Sequence, residues 1–248
     1  MSDDIEDMLF DENIRESQPN NSILKKNKIF NNHAVDVEEY KSAVPGTQNI
    51  YVKTYGCSHN ISDSEYMEGI LSQYGYRITE EKESADLWLI NSCTVKDPSQ
   101  AAFMHLVNTG KKEGKPVVVA GCVSQADRNI SGLEDTSMIG IQNIDRVLEV
   151  VEQTLQGNTV KLLSKKGLPS LDLPKIRKNK LIEIIPLSTG CLGACTYCKT
   201  RHARGKLGSY ELDSLIQRTK SVISEGVKEV WLSSGGKFIY YLLFFFLN

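Results

Sequence analysis

"PVVVAGC", residues 116–122, sets three consecutive valines and an alanine in front of a glycine and a cysteine. Branched valine side chains suit a pleated backbone. A strand without polar alternation is buried on both faces, as in the middle of a parallel sheet. Two other runs share this plan. "IYVKTYGC" (50–57) ends in Gly56 and Cys57, and "ADLWLINSC" (85–93) ends in Cys93. Between these runs the apolar spacing becomes helical. Met67, Ile70, Leu71 and Tyr74 predict a helix over 62–75, with Ser62 and Glu65 in capping-box spacing. A second helix is expected to open at "DPSQ", where Asp97 can cap and Pro98 suits the first turn. Ile144, Val147, Leu148, Val151 and Leu155 share one face of a third helix over 143–156. Strands alternating with helices predict an α/β domain over 49–160, built on an open parallel sheet of the Rossmann or flavodoxin kind.

Ligands of an open parallel sheet bind at the carboxyl ends of its strands. Cys57, Cys93 and Cys122 each follow a predicted strand, so three thiols are placed to converge there. Taken alone, they read better as buried structural cysteines, since free cysteine is commonly a core residue; with the three-cysteine loop of residues 188–206 the balance moves to a shared inorganic ligand.

Residues 161–180 read as a linker with seven bases (Lys161, Lys165, Lys166, Lys175, Arg177, Lys178, Lys180) against Asp172 alone. These bases are candidate contacts to a polyanion. A second β–loop–α–β unit is predicted over 181–234. "LIEIIP" is its first strand and "KEVWLSS" its second. The helix between them is expected to be capped by Ser209, with Leu212, Leu215, Ile216, Val222 and Ile223 on one stripe and Gly226 at its end. The loop after the first strand, "STGCLGACTYCKTRHARGK" (188–206), holds Cys191, Cys195 and Cys198 as C-x3-C-x2-C. Thiolates so spaced can wrap one inorganic centre. Structural zinc would take a fourth ligand, with His202 available. An iron–sulfur cluster held by only three cysteines would keep one iron open. Arg201 and Arg204, with Lys199 and Lys206, are candidates to meet an anionic ligand.

The chain has 248 residues, a net charge of −2 and six cysteines. The acidic N-terminus has no apolar core, so no signal peptide is expected and the chain is expected to be cytoplasmic with reduced thiols. Clustered cysteines then favour metal over disulfides. Residues 1–48 read as a disordered leader. The apolar run "FIYYLLFFFL" (238–247), inside an atypical tail over 235–248, is about half the roughly 20 residues of a membrane-spanning helix, so no span is expected.

The C-x3-C-x2-C loop, with Tyr197 before its last cysteine, resembles the cluster loop of radical S-adenosylmethionine enzymes. "VKTYGCSHNISDSEYMEGIL", "INSCTVKDPSQ" and "VVVAGCVSQ" resemble the N-terminal domain of the methylthiotransferases. "YGCSHNISDSEYM" and "CLGACTYCKTRHARG" are similar to the eukaryotic branch that acts on threonylcarbamoyladenosine in tRNA. The resemblance runs from about residue 49 to 234 and implies two [4Fe–4S] clusters. Cys191, Cys195 and Cys198 would hold the radical cluster, with S-adenosylmethionine on its open iron and Tyr197 near the adenine. Cys57, Cys93 and Cys122 would hold an auxiliary cluster. The implied reaction is methylthiolation at C2 of the modified adenosine beside the anticodon, with tRNA and an electron donor as partners. Family members carry a partial TIM-like barrel of about six β/α units, of which this chain would supply the first two. A truncated product is therefore expected, and an inactive cluster- or RNA-binding fragment is the alternative function. Relatives acting on isopentenyladenosine in tRNA or on a ribosomal protein are alternatives within the family. Full-length eukaryotic relatives resemble proteins tail-anchored in the endoplasmic reticulum.

Overall fold

The computed structural model describes residues 46–93, 97–126, 130–165 and 167–235, all within one compact unit, Tyr40–Asn248. Most of the expected leader, the Asp97 cap environment at residues 94–96 and the apolar tail from residue 236 lie outside them.

The described residues contain a sheet of six parallel strands: β1 (Asn49–Thr54), β2 (Arg77–Thr79), β3 (Leu87–Ser92), β4 (Val117–Gly121), β5 (Ser137–Ile139) and β6 (Lys161–Leu162). Their order is β2-β1-β3-β4-β5-β6, the doubly wound order of flavodoxin-like sheets. Every residue of β3 and β4 is buried, so the reading of "PVVVAG" as a central strand holds. Side chains divide between two cores with a period of two. Leu87, Leu89, Val118 and Ala120 face α1 (Ser58–Tyr74) and α4 (Val147–Leu155). Trp88, Ile90, Val117 and Val119 face the other way, against Phe103 and Val107 of α2 (Asp97–Lys112). A short α3 (Cys122–Ala126) follows β4 directly.

A second sheet orders β8-β7-β9, where β7 is Ile182–Thr189, β8 Gly208–Ser209 and β9 Glu229–Ser234. β7 and β9 run parallel and β8 antiparallel to β7. The cysteine loop and α5 (Lys199–Arg204) follow β7, and α6 (Leu212–Ser224) leads to β9. Leu215 and Val222 of α6 pack on Ile185 and Leu187 of β7.

Several local expectations need correction. α1 begins at Ser58, not Ser62, with Cys57 in its capping position in extended backbone. Ser62 and Glu65 therefore lie inside the helix, where no free N–H remains for them to cap. Ser62 instead donates to the Ile184 carbonyl, and Glu65 pairs with Lys175 at 3.0 Å. α6 is preceded by Glu211 as its cap residue, and Ser209 is taken up by β8 opposite Ser188. Leu212 and Ile223 fall outside the buried stripe, whose members are Leu215, Arg218 and Val222. The short strands β2, β5 and β6 carry too few residues for their alternation to show.

The basic segment is largely built into the structure. Lys161 and Leu162 form β6, and Leu171 is buried in the second core. The backbone at 174–178 lies across α1, where the Ile176 N–H donates to Glu65 O and the Lys178 N–H to Glu65 Oε1. Lys175 is almost fully buried between Glu65 and Glu183, which also accepts from Arg177 and Arg218. Burial alone would raise the pKa of Glu183, but Lys175 foremost, then Arg177 and Arg218, hold it below the ordinary carboxylate value. Lys175 and Arg177 are therefore paired internally and are not contacts for a polyanion.

Candidate metal centre

β1, β3 and β4 are neighbours, with Thr54 paired to Asn91 and Ser92 to Gly121. Cys57, Cys93 and Cys122 thus leave the carboxyl ends of three adjacent strands, and Cys57 and Cys93 flank the point where strand order reverses. That point is where doubly wound sheets bind ligands. Gly56, at φ 111°, lets the turn pass close to Cys93. A Cβ on Gly56 would stand 2.6 Å from Cys93 Cβ and 2.8 Å from its Sγ. Cys93 and Cys122 are buried and Cys57 is exposed, so the site opens on the Cys57 side. Burial pushes the Cys122 thiol up to about 11, which keeps it protonated until a cation arrives.

Asn60 holds the three turns together. Its Nδ2 donates to the carbonyls of Tyr55 (2.9 Å) and Ser92 (2.7 Å), one residue before Gly56 and Cys93 respectively. Its Oδ1 lies 3.6 Å from Cys122 Sγ and accepts from Arg204 Nη2 at 2.9 Å. Two carbonyls on one side and a donor-only guanidinium on the other leave a single orientation for the amide. Arg204 also donates to Asp63 Oδ2 at 2.8 Å and is only 5% exposed. The expectation that Arg204 meets an external anion is therefore corrected: α1 neutralises it. Its charge remains within electrostatic reach of Cys122 and Cys57. His59, one residue before Asn60, is buried, and burial followed by the nearby Arg204 lowers its pKa, so its imidazole is neutral.

The C-x3-C-x2-C loop sits at the end of β7, and α5 behind it packs on α3. Arg201 Nη1 donates to the carbonyls of Cys191 and Gly205, each at 2.6 Å, and closes the loop at its base. The Gly193 N–H points at Cys191 Sγ (3.3 Å), and its Cβ position is 3.5 Å from that sulfur and 4.0 Å from Cys195 Sγ. Those two sulfurs therefore share a side of the loop. Cys195 is exposed, and Cys191 and Cys198 are half-buried. His202 Nε2 is 3.1 Å from the Thr196 carbonyl, so that ring nitrogen is engaged by the backbone. Tyr197 is 86% exposed and Leu192 63%.

Among the described residues, no group of three or more histidine, cysteine or acidic side chains is gathered around a single metal-ion position. Zinc needs every thiolate about 2.3 Å from one point. A cluster offers a different iron to each thiolate, so its ligands stand farther apart. Three thiols at each site are a donor set that suits an iron–sulfur cluster.

Asn60, Asp63 and Arg204 were not singled out as one constellation from sequence. The available signal was α1 itself, whose buried residues include His59, Asn60, Ser62, Ser64 and Glu65. A helix that buries so many polar groups must satisfy them with partners of its own.

Fold and site together define an open parallel α/β domain with three cysteines at its switch point, joined to a β/α unit with a three-cysteine loop. By sequence the chain is similar to the threonylcarbamoyladenosine tRNA methylthiotransferases over most of its own length and less than half of theirs. The family model that matches, described as "Uncharacterized protein family UPF0004", covers residues 49–139. The threonylcarbamoyladenosine tRNA methylthiotransferase of Mus musculus is 49% identical over 94% of this chain and 43% of its own length. That of Homo sapiens is 54% identical over 78% of this chain and 34% of its own. A probable one of Pyrococcus horikoshii is 36% identical over 75% and 44%. The chain thus spans less than half the length of these curated relatives. A solved cobalamin-dependent S-adenosylmethionine radical enzyme, OxsB, superposes with a TM-score of 0.49 at 8% identity, over 76% of this chain and 34% of that one. No helix among the described residues is long and apolar enough to cross a membrane.

Proposed function

We propose that this chain is the cluster-bearing N-terminal part of a tRNA methylthiotransferase acting at C2 of N6-threonylcarbamoyladenosine next to the anticodon. The observation that supports the reading is that Cys57, Cys93 and Cys122 follow three adjacent strands of one sheet, in a chain that also carries a C-x3-C-x2-C loop. Cys57, Cys93 and Cys122 would hold an auxiliary [4Fe–4S] cluster, and Cys191, Cys195 and Cys198 a radical [4Fe–4S] cluster that binds S-adenosylmethionine. When bound, these groups supply the electron that opens S-adenosylmethionine and the sulfur that is transferred, chemistry that lies beyond amino-acid side chains.

The chain's own residues position and shield. Buried Cys93 and Cys122 keep water from two of the three thiolates, while exposed Cys57 leaves the approach open. Arg201 fixes the base of the triplet loop through its two carbonyl contacts. Tyr197 presents an aromatic face for the adenine. Exposed Lys199 and Lys206 offer charge for the tRNA backbone. An external donor would deliver the electron.

The test is an iron and sulfide count on the chain purified without oxygen and reconstituted, beside Cys57→Ala and Cys191→Ala. Roughly eight irons, falling by about half in each variant, is the expected result for two cubane clusters. Zinc in place of iron would overturn the reading. Iron in the Cys57 site alone would leave the chain as a cluster-binding fragment without the radical site.

A further inference from the structure

Arg204 is an unusual residue to find in the wall of the Cys57/Cys93/Cys122 site. It comes from α5, directly behind the other cysteine loop, yet its guanidinium is buried against α1. Its contact with Asn60 Oδ1 reaches a side chain that touches all three cysteine turns. Resting on the cluster reading above, we propose that Arg204 is a positioning and charge-compensating residue of the auxiliary cluster. The loop that forms one cluster site thus completes the electrostatics of the other.

A [4Fe–4S] cluster with thiolate ligands is anionic and gains a further negative charge on one-electron reduction. A fixed cation nearby stabilises the reduced form, and hydrogen bonding and net charge are among the levers that set cluster potentials. The Asp63 carboxylate, 2.8 Å from the guanidinium, opposes that effect. Arg204 and Asp63 should therefore move the potential in opposite directions. A purely structural role cannot produce that pattern, because disrupting either partner would disturb the site in the same sense. Burial strengthens the effect, since charges screened little by water act at longer range.

The experiment uses the 248-residue chain carrying Cys191→Ala, Cys195→Ala and Cys198→Ala, so that only the auxiliary cluster loads. The midpoint potential is read by EPR of samples poised across a potential series, with iron counted in each. Arg204→Gln should shift the midpoint to more negative potential, Asp63→Asn to more positive, and Arg204→Lys should stay near the parent. Shifts of the same sign, or an unmoved midpoint with iron retained, would overturn the proposal while leaving the cluster reading intact. A parent chain without iron would sink the cluster reading itself, and this one with it. Should Arg204→Gln fail to load, Asp63→Asn decides alone: a positive shift supports the proposal, and no shift or a negative one refutes it.

Discussion

Gly69 lies directly beneath Pro174: a Cβ at position 69 would stand 2.2 Å from the Pro174 carbonyl oxygen and 2.5 Å from Lys175 N. The contact is backbone to backbone, so no side chain can swing aside. It explains a glycine in mid-helix, where alanine would otherwise be favoured by about 1 kcal/mol. The gap admits the 174–178 segment, which carries Lys175 to Glu65 and Glu183.

Gly69→Ala should therefore destabilise the chain, against the helix-propensity trend, by roughly 2 kcal/mol as an overpacking effect. Urea unfolding reads it as a lower midpoint. Ser72→Ala, on the exposed side of the same helix, should change stability by no more than about 0.5 kcal/mol. Equal behaviour of the two variants would show that the segment is not held where the structure has it.

Glu183 is fully buried and accepts from Lys175, Arg177 and Arg218. Removing it strands buried cations, so Glu183→Ala should cost about 3–5 kcal/mol. The pH dependence has a definite sign. The three cations hold the folded-state pKa below its unfolded value of 4.5. The stabilisation is therefore present above that value and is lost as pH falls through the folded-state pKa. Urea midpoints of wild type and Glu183→Gln should converge on acidification, and a constant difference between pH 7 and pH 3 would contradict the network.

Much of this was legible in the sequence, for identifiable reasons. "LWLINS" and "VVVAG" lie in central strands buried on both faces, so continuous hydrophobicity betrays them. Cys57, Cys93 and Cys122 could be placed because a residue following such a strand must emerge at the sheet's carboxyl edge. Arg204 could not be placed. Its partners Asn60 and Asp63 lie more than a hundred residues earlier, and an arginine in a basic loop looks the same whether solvated or buried. Lys175 and Arg177 misled for the same reason, because charge patterning shows sign and spacing but not the carboxylates of distant elements.

Glu68 shows the opposite electrostatic case. Burial foremost, then the neighbouring Glu65, pushes its carboxyl up to about 7, with Lys178 partly opposing. Its folded-state pKa is raised, so ionisation penalises the fold as pH rises from about 4.5 to 7. Glu68→Gln should be neutral near pH 4 and stabilise by roughly 2 kcal/mol above pH 7. Thermal unfolding across that range would read a growing gain in Tm. A gain independent of pH would assign the effect to something other than charge.

Gly56 separates the packing of the auxiliary site from its ligand chemistry. The residue sits at φ 111°, and an added Cβ would press on Cys93 at 2.6 Å. Alanine there is strained in its backbone and displaces a proposed ligand without removing any thiol. The reconstituted Gly56→Ala chain should lose iron from the Cys57 site and keep it at the triplet, leaving about half of the roughly eight irons of the two-cluster form. The EPR signal lost should match the one lost in Cys57→Ala, and the signal kept should match the one lost in Cys191→Ala. Retention of both signals would mean that Cys93 does not need the close passage of the Gly56 turn, and would count against Cys93 as a ligand in this geometry.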